Sequence, residues 1–212
     1  MQDTPTPAVA PAPVNLFAEP TPLGLLGLAV GCAALIPIAF GWSLTPAAFR
    51  TAAFYCLYFG AGCQFIAGIM SLANKNLLGG TLFTTFAFNW LMNYQTLAGL
   101  AEGRLPDPHI ILSVDVIFLV IFVVLTYAFG FFSKLLFAFL LDIVLLFACR
   151  ILKELTHAPV FALPIALATV VLAGIALYLA FAILVNSAAG RPVFPVPGPL
   201  FKAATPAAAP VR

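Results

Sequence analysis

Thr81, Thr85, Asn89 and Asn93 recur every four residues in an uncharged stretch that begins NLLGGTLFTTFAFNW at Asn76. Four residues turn an α-helix by about 400°, so these groups form a slowly drifting stripe on one face. Phe83, Phe86 and Trp90, spaced by three and four, fall on a neighbouring face, and Thr84 adds a further hydroxyl. In hydrocarbon, Thr and Asn side chains either hydrogen-bond across helix contacts or line a path for something polar. With bulky rings alongside, the stripe reads as a pore lining. The rings supply a narrow apolar gate, and the hydroxyls and amides supply transient partners on either side of it.

Two acids lie within apolar sequence: Asp142 in FAFLLDIVLLFAC and Asp115 in ILSVDVIFLV. An ionisable group at membrane depth is costly and marks a functional site by default. The alternative is a hydrogen bond to a neighbouring helix that only fixes packing. Asp142, near the middle of its run, is the candidate proton relay; Asp115 lies nearer the interface. Lys153 shares a face with Asp142 but is about 16 Å further along the helix, too far for a direct partner. Gln64 is one more polar outlier, and His109 and His157 fall at the ends of apolar runs. These pieces assemble no metal site, nucleotide-binding loop or hydrolase triad, so neither an enzyme nor a cofactor is expected.

The elements that must position these groups follow from composition. The 212 residues are 63% hydrophobic and 8% charged, against about 25% charged in a soluble domain. Too few charges remain to solvate a globular surface, so the chain is an all-α integral membrane protein embedded in a lipid bilayer. A net charge of +2 without a basic run gives no reason to expect nucleic acid. Cys32, Cys56, Cys63 and Cys149 have no metal-ligand spacing and read as buried free thiols.

Crossing about 30 Å of hydrocarbon takes about 20 apolar residues, and six runs qualify: 23–42, 51–73, 77–98, 109–130, 134–152 and 159–187. Together they define a six-helix transmembrane domain at 23–191, flanked by Pro/Ala-rich tails at 1–22 and 192–212 that are expected to be disordered. The first tail lacks Lys and Arg, so the first run is expected to be a retained helix rather than a cleaved signal. Six spans put both termini on one side, with Lys75, Lys134, Arg191, Lys202 and Arg212. Arg50, Arg104, Arg150 and Lys153 lie opposite. That slight excess points to cytoplasmic termini. Gly24, Gly27 and Gly31 give the first helix a small-residue face for close helix packing. Pro37 interrupts the same helix, and Pro164 and Gly174 loosen the last.

EPTPLGLLG (Glu19 to Gly27) resembles the Asn-Pro-Ala-Pro-Leu-Gly-Leu signature of the acetate uptake transporter family, the succinate–acetate permeases. QFIAG (Gln64 to Gly68) is similar to that family's Gln-x-x-Ala-Gly. NLLGGTLFTTFAFNW is similar to its Asn-x-x-Gly-x-Thr-x-Phe-Thr-x-Tyr-x-x-x-Trp, and VNSAAGRPVFP (Val185 to Pro195) to its Asn-x-x-x-Gly-Arg-x-x-Leu-Pro. The resemblance implies six helices around a central conduit, protomers joined in a hexameric ring, and passage of acetate, similar small carboxylates and succinate. It implies a constriction at Leu28, at Phe86 and within Leu141 to Ile143, and a carboxylate site near the entrance at Pro22, Leu23, Gly24 and Thr84. Glu19 stands where the signature has Asn, Leu28 where the family has an aromatic, and Phe86 where it has Tyr.

A small carboxylate, with a pKa of about 4, is mostly ionised near neutral pH and meets a desolvation cost at an apolar ring. Either the anion takes a proton and crosses neutral, with Asp142 as relay, or helix N-termini and hydroxyls replace its water. Such a proton-coupled transporter would sit in the plasma membrane, the inner membrane of a bacterium. Two rivals stand beside it: a channel for a neutral solute such as ammonia, urea or a short amide, and a non-transporting membrane scaffold.

Overall fold

The computed structural model describes residues 15–202, and these form an all-helical bundle. Its long helices are α1 (Thr21–Ala39), α2 (Pro46–Ala73), α3 (Leu77–Ala101), α4 (Pro108–Phe129), α5 (Lys134–Thr156) and α6 (Ala162–Ala189), the last preceded by a 3-10 turn at Pro159–Phe161. Each helix packs on the next, and α6 returns to pack extensively on α1, closing a ring in chain order. The α3–α4 contact is the thinnest join in that ring.

Five of these helices are long and apolar enough to cross a membrane. The remaining one, α3, has 25 residues, about 37 Å at 1.5 Å per residue. Its length suffices, but its Gly, Thr and Asn residues lower its hydropathy.

The helix starts follow local chemistry. The Thr45 hydroxyl accepts from the Ala48 N–H at 3.1 Å, ahead of Pro46. Asn76 accepts from Gly79 at 2.9 Å, and Asp107 accepts from His109 and Ile110 at 2.9 and 3.1 Å. Each side chain satisfies N–H groups that have no partner within the helix, and Pro46 and Pro108 occupy first positions where a missing N–H costs nothing. Residues 56–63 of α2, CLYFGAGC, are wound as π-helix, a form found mostly where a helix must shift its faces for function or packing. Here it brings Gly60 against the ring of Trp90 on α3.

The segment after Gly190 differs from the expected disorder as far as Lys202. Asn186 Oδ1 accepts from the Val193 and Phe194 N–H groups at 2.7 and 2.9 Å, and its Nδ2 donates to the Phe194 carbonyl. Tyr178 donates its hydroxyl to Pro195 O at 2.7 Å and Ser133 donates to Pro197 O at 2.8 Å. Leu200 and Phe201 donate to the Gly130 carbonyl. The Phe201 ring lies 5.3 Å from those of both Tyr127 and Phe131. A Pro-rich chain lacks the apolar content for a core of its own, but these anchors belong to helices already in place. At the other terminus, Phe17 exchanges two hydrogen bonds with the Asn74 side chain. Of the expected tails at 1–22 and 192–212, residues 1–14 and 203–212 lie outside the described residues, and Thr21 and Pro22 already belong to α1.

Candidate functional site

The ring of helices closes on a buried apolar plug. Leu28 of α1, Phe86 of α3 and Ile143 of α5 all belong to one core cluster, and each is 4% exposed or less. Phe86 packs on Phe122 of α4 with ring centroids 4.8 Å apart, and Phe122 stacks on Phe147 of α5 at 5.5 Å. Within the segment Leu141 to Ile143, the inward position is therefore Ile143; Leu141 points outward and is 39% exposed.

Against this plug, towards the end of the bundle away from the described termini, lies a cavity of about 170 Å³. Phe86 and Ile143 form part of its wall, with Cys32 and Leu172. Asn89, Asn93, Trp90, Thr169 and Arg150 supply its polar groups. Asn93 Nδ2 donates to the Asn89 carbonyl at 3.2 Å, and Thr169 donates to Ile165 O. The Trp90 Nε1 donor is buried without a partner. An indole N–H in that state costs on the order of 1–3 kcal/mol.

The cavity owes its shape to glycine. The Trp90 ring is held between α1 and α2 because Gly31 and Gly60 leave room: a Cβ at either would fall 2.9 or 2.5 Å from ring atoms.

Arg150 lies on α5 and reaches the cavity, its side chain 29% exposed. Its Nε is 3.0 Å from Asp115 Oδ2 on α4, and its guanidinium carbon is 5.3 Å from the Phe147 ring centroid. In the sequence Arg150 registers only as a charge at a helix end, although two signals point further. Ile143, Phe147 and Arg150 follow one face of α5 at spacings of four and three. Asp115 and Arg150 also stand at nearly equal distances from the α4–α5 turn, fifteen residues before Gly130 and seventeen after Ser133. An antiparallel helical hairpin sets such residues level.

The polar stripe of α3 divides. Asn89 and Asn93 reach the cavity together with Phe86 and Trp90, on one lining rather than on two faces. Thr84 instead donates to Gly80 O at 2.7 Å and packs against Gly68 of α2; Thr85 is half-buried, and Thr81 is exposed. At the expected entrance, Pro22 and Gly24 are buried, Leu23 is partly exposed, and the Phe83 ring fills the space over Gly24. Asp142 does not line the cavity. It opens into a separate groove between α5 and α6, beside Leu145, Cys149, Pro164, Leu167, Ala168 and Val171, with Oδ2 buried and unpartnered.

Residues 1–100 match the GPR1/FUN34/yaaH family, and that span holds three of the four motifs. The match takes in 100 of the 212 residues. The solved structure of the bacterial acetate channel SatP has the same fold, with a TM-score of 0.77 and 20% identity. The likeness covers 85% of this chain and 99% of that one. Two Saccharomyces cerevisiae proteins are similar over 88 residues: Ammonia transport outward protein 2 at 40% identity and Accumulation of dyads protein 2 at 38%. That stretch is 40% of this chain and 30% of each yeast protein. Leu28, Phe86 and Ile143, the positions at which the resemblance implies a constriction, are buried in one apolar cluster and carry no hydroxyl.

Proposed function

We propose that this protein is a membrane conduit for acetate and related small carboxylates, and that the cavity beside the plug is its vestibule. One observation carries the reading: a cavity lined by a single guanidinium and two carboxamides, with the Trp90 ring in its wall, abuts a plug made only of apolar side chains. Donors without a competing carboxylate in the lining suit an anion, since a carboxylate needs two or more N–H partners once stripped of water. The plug suits the short alkyl end of the same molecule. The family match over residues 1–100 and the fold shared with SatP support this direction.

In the finer picture α3 is a sixth spanning helix. Protomers assemble into a cyclic oligomer, a hexamer as the motifs imply, with both termini cytoplasmic in the plasma membrane. Passage is proton-coupled, because the anion would otherwise cross Leu28, Phe86 and Ile143 with its full desolvation cost. Asp142 is the group proposed to exchange that proton.

Reconstitution into proteoliposomes with labelled acetate tests the proposal. Saturable uptake that unlabelled acetate competes away is the expected result, and uptake equal to protein-free vesicles would overturn it. A second reading, passage of ammonia, is favoured by the hydroxyl-free plug and by the name of one yeast relative. An ammonia pulse followed by stopped-flow pH detection in the same vesicles distinguishes the two.

A further inference from the structure

Building on the reading of the cavity as a carboxylate vestibule, we infer that Arg150 is its anion-selecting residue and that Asp115 sets the selection in favour of monocarboxylates. The ion pair is made through Nε of Arg150, 3.0 Å from Asp115 Oδ2. That contact lies on the inner part of the guanidinium, so the outer Nη1–Nη2 edge is available to a second carboxylate in the bidentate geometry that guanidinium favours. Phe147 lies beside the same guanidinium and limits its swing. Asn89, Asn93 and the Trp90 ring share the cavity wall with it.

Charge decides which carboxylates fit. Asp115 is 5% exposed and already offsets the one positive charge at the cavity. A single carboxylate head can share the guanidinium. A second carboxylate on the same ligand would meet Phe86, Ile143, Cys32 and Leu172, none of which compensates it, and an uncompensated charge in that setting is excluded. Sharing also keeps monocarboxylate binding weak enough for release, as conduction requires. A cation left fully unpaired would hold its anion.

The experiment measures the concentration dependence of labelled acetate uptake, with succinate as competitor, in proteoliposomes. Four proteins are compared: the unaltered chain, Arg150→Lys, Asp115→Asn, and the double variant Asp115→Asn with Arg150→Gln. The double variant removes both charges and so leaves no buried carboxylate stranded. Its half-saturation concentration is expected to rise about tenfold or more, as loss of a charge-assisted pair implies. Arg150→Lys, a point charge without the fork, is expected to fall between it and the unaltered chain. Asp115→Asn is expected to lower half-saturation, slow the maximal rate and make succinate a better competitor. Folding is checked by elution volume and thermal unfolding. If the unaltered chain transports acetate and the folded double variant saturates as it does, the inference is overturned while the conduit stands. It is overturned equally if Asp115→Asn leaves succinate competition unchanged. If the unaltered chain transports no acetate, the conduit reading itself fails, and this inference with it.

Discussion

A Cβ at Gly31 would stand 2.9 Å from Cη2 of Trp90, so the position of the vestibule's indole is set by a missing methyl group on another helix. Gly31→Ala must push the ring back into the vestibule or pry α1 from α3. Overpacking of this kind costs about 1–3 kcal/mol. A lower thermal-unfolding midpoint in detergent is expected, with a changed Trp fluorescence maximum. An unaltered midpoint and spectrum would mean that Trp90 has slack at this contact.

Phe86 rests on Phe122 with ring centroids 4.8 Å apart. Phe86→Ala opens the plug where the cavity meets it and costs about 3 kcal/mol of packing. Faster passage of longer monocarboxylates such as butyrate, relative to acetate, is the outcome to look for in proteoliposomes. A preserved size cut-off would show that Leu28 and Ile143 close the gap unaided.

Ile143 and Leu141 give a paired comparison on one helix. Ile143→Ala removes buried volume beside the vestibule, costs about 2–4 kcal/mol and is expected to shift the ratio of acetate to butyrate flux. Leu141→Ala acts on an outward side chain, 39% exposed, and is expected to leave that ratio unchanged. A shift from Leu141→Ala alone would place the gate one helix face away.

The motifs lead to Leu28 and Phe86 directly, but the choice between Leu141 and Ile143 is not legible in the sequence. LLDIV is apolar around Asp142, and only the packing of Phe122 and Phe147 shows which face of α5 turns inward. Arg150 is hidden for a different reason. A basic residue late in an apolar run ordinarily extends to the interface, and its partner Asp115 sits on another helix. The periodicity of the α3 stripe is plain in the sequence, yet periodicity does not say where along a helix the neighbours leave space. Thr84 meets Gly68, whereas Asn89 meets a cavity. The Pro-rich strap is invisible at this level because its anchors, Asn186, Ser133 and Gly130, lie in other elements.

Asp142 bears on the proposed proton coupling. Its Oδ2 is buried without a hydrogen-bond partner, in a groove of about 310 Å³ between α5 and α6 rather than in the vestibule. It immediately precedes Ile143, so a small rotation of α5 that moves the plug also moves this carboxyl. Coupling through that rotation has a specific consequence. Asp142→Asn keeps the shape and a hydrogen-bonding oxygen but cannot exchange a proton. Acetate-driven acidification of vesicles carrying an internal pH dye is expected to slow several-fold, with half-saturation for acetate unchanged because the vestibule is untouched. Elution volume and unfolding midpoint are expected to stay near those of the unaltered chain. Normal acidification together with a loosened oligomer would instead make Asp142 a packing group, and proton exchange would then have to occur on the substrate itself.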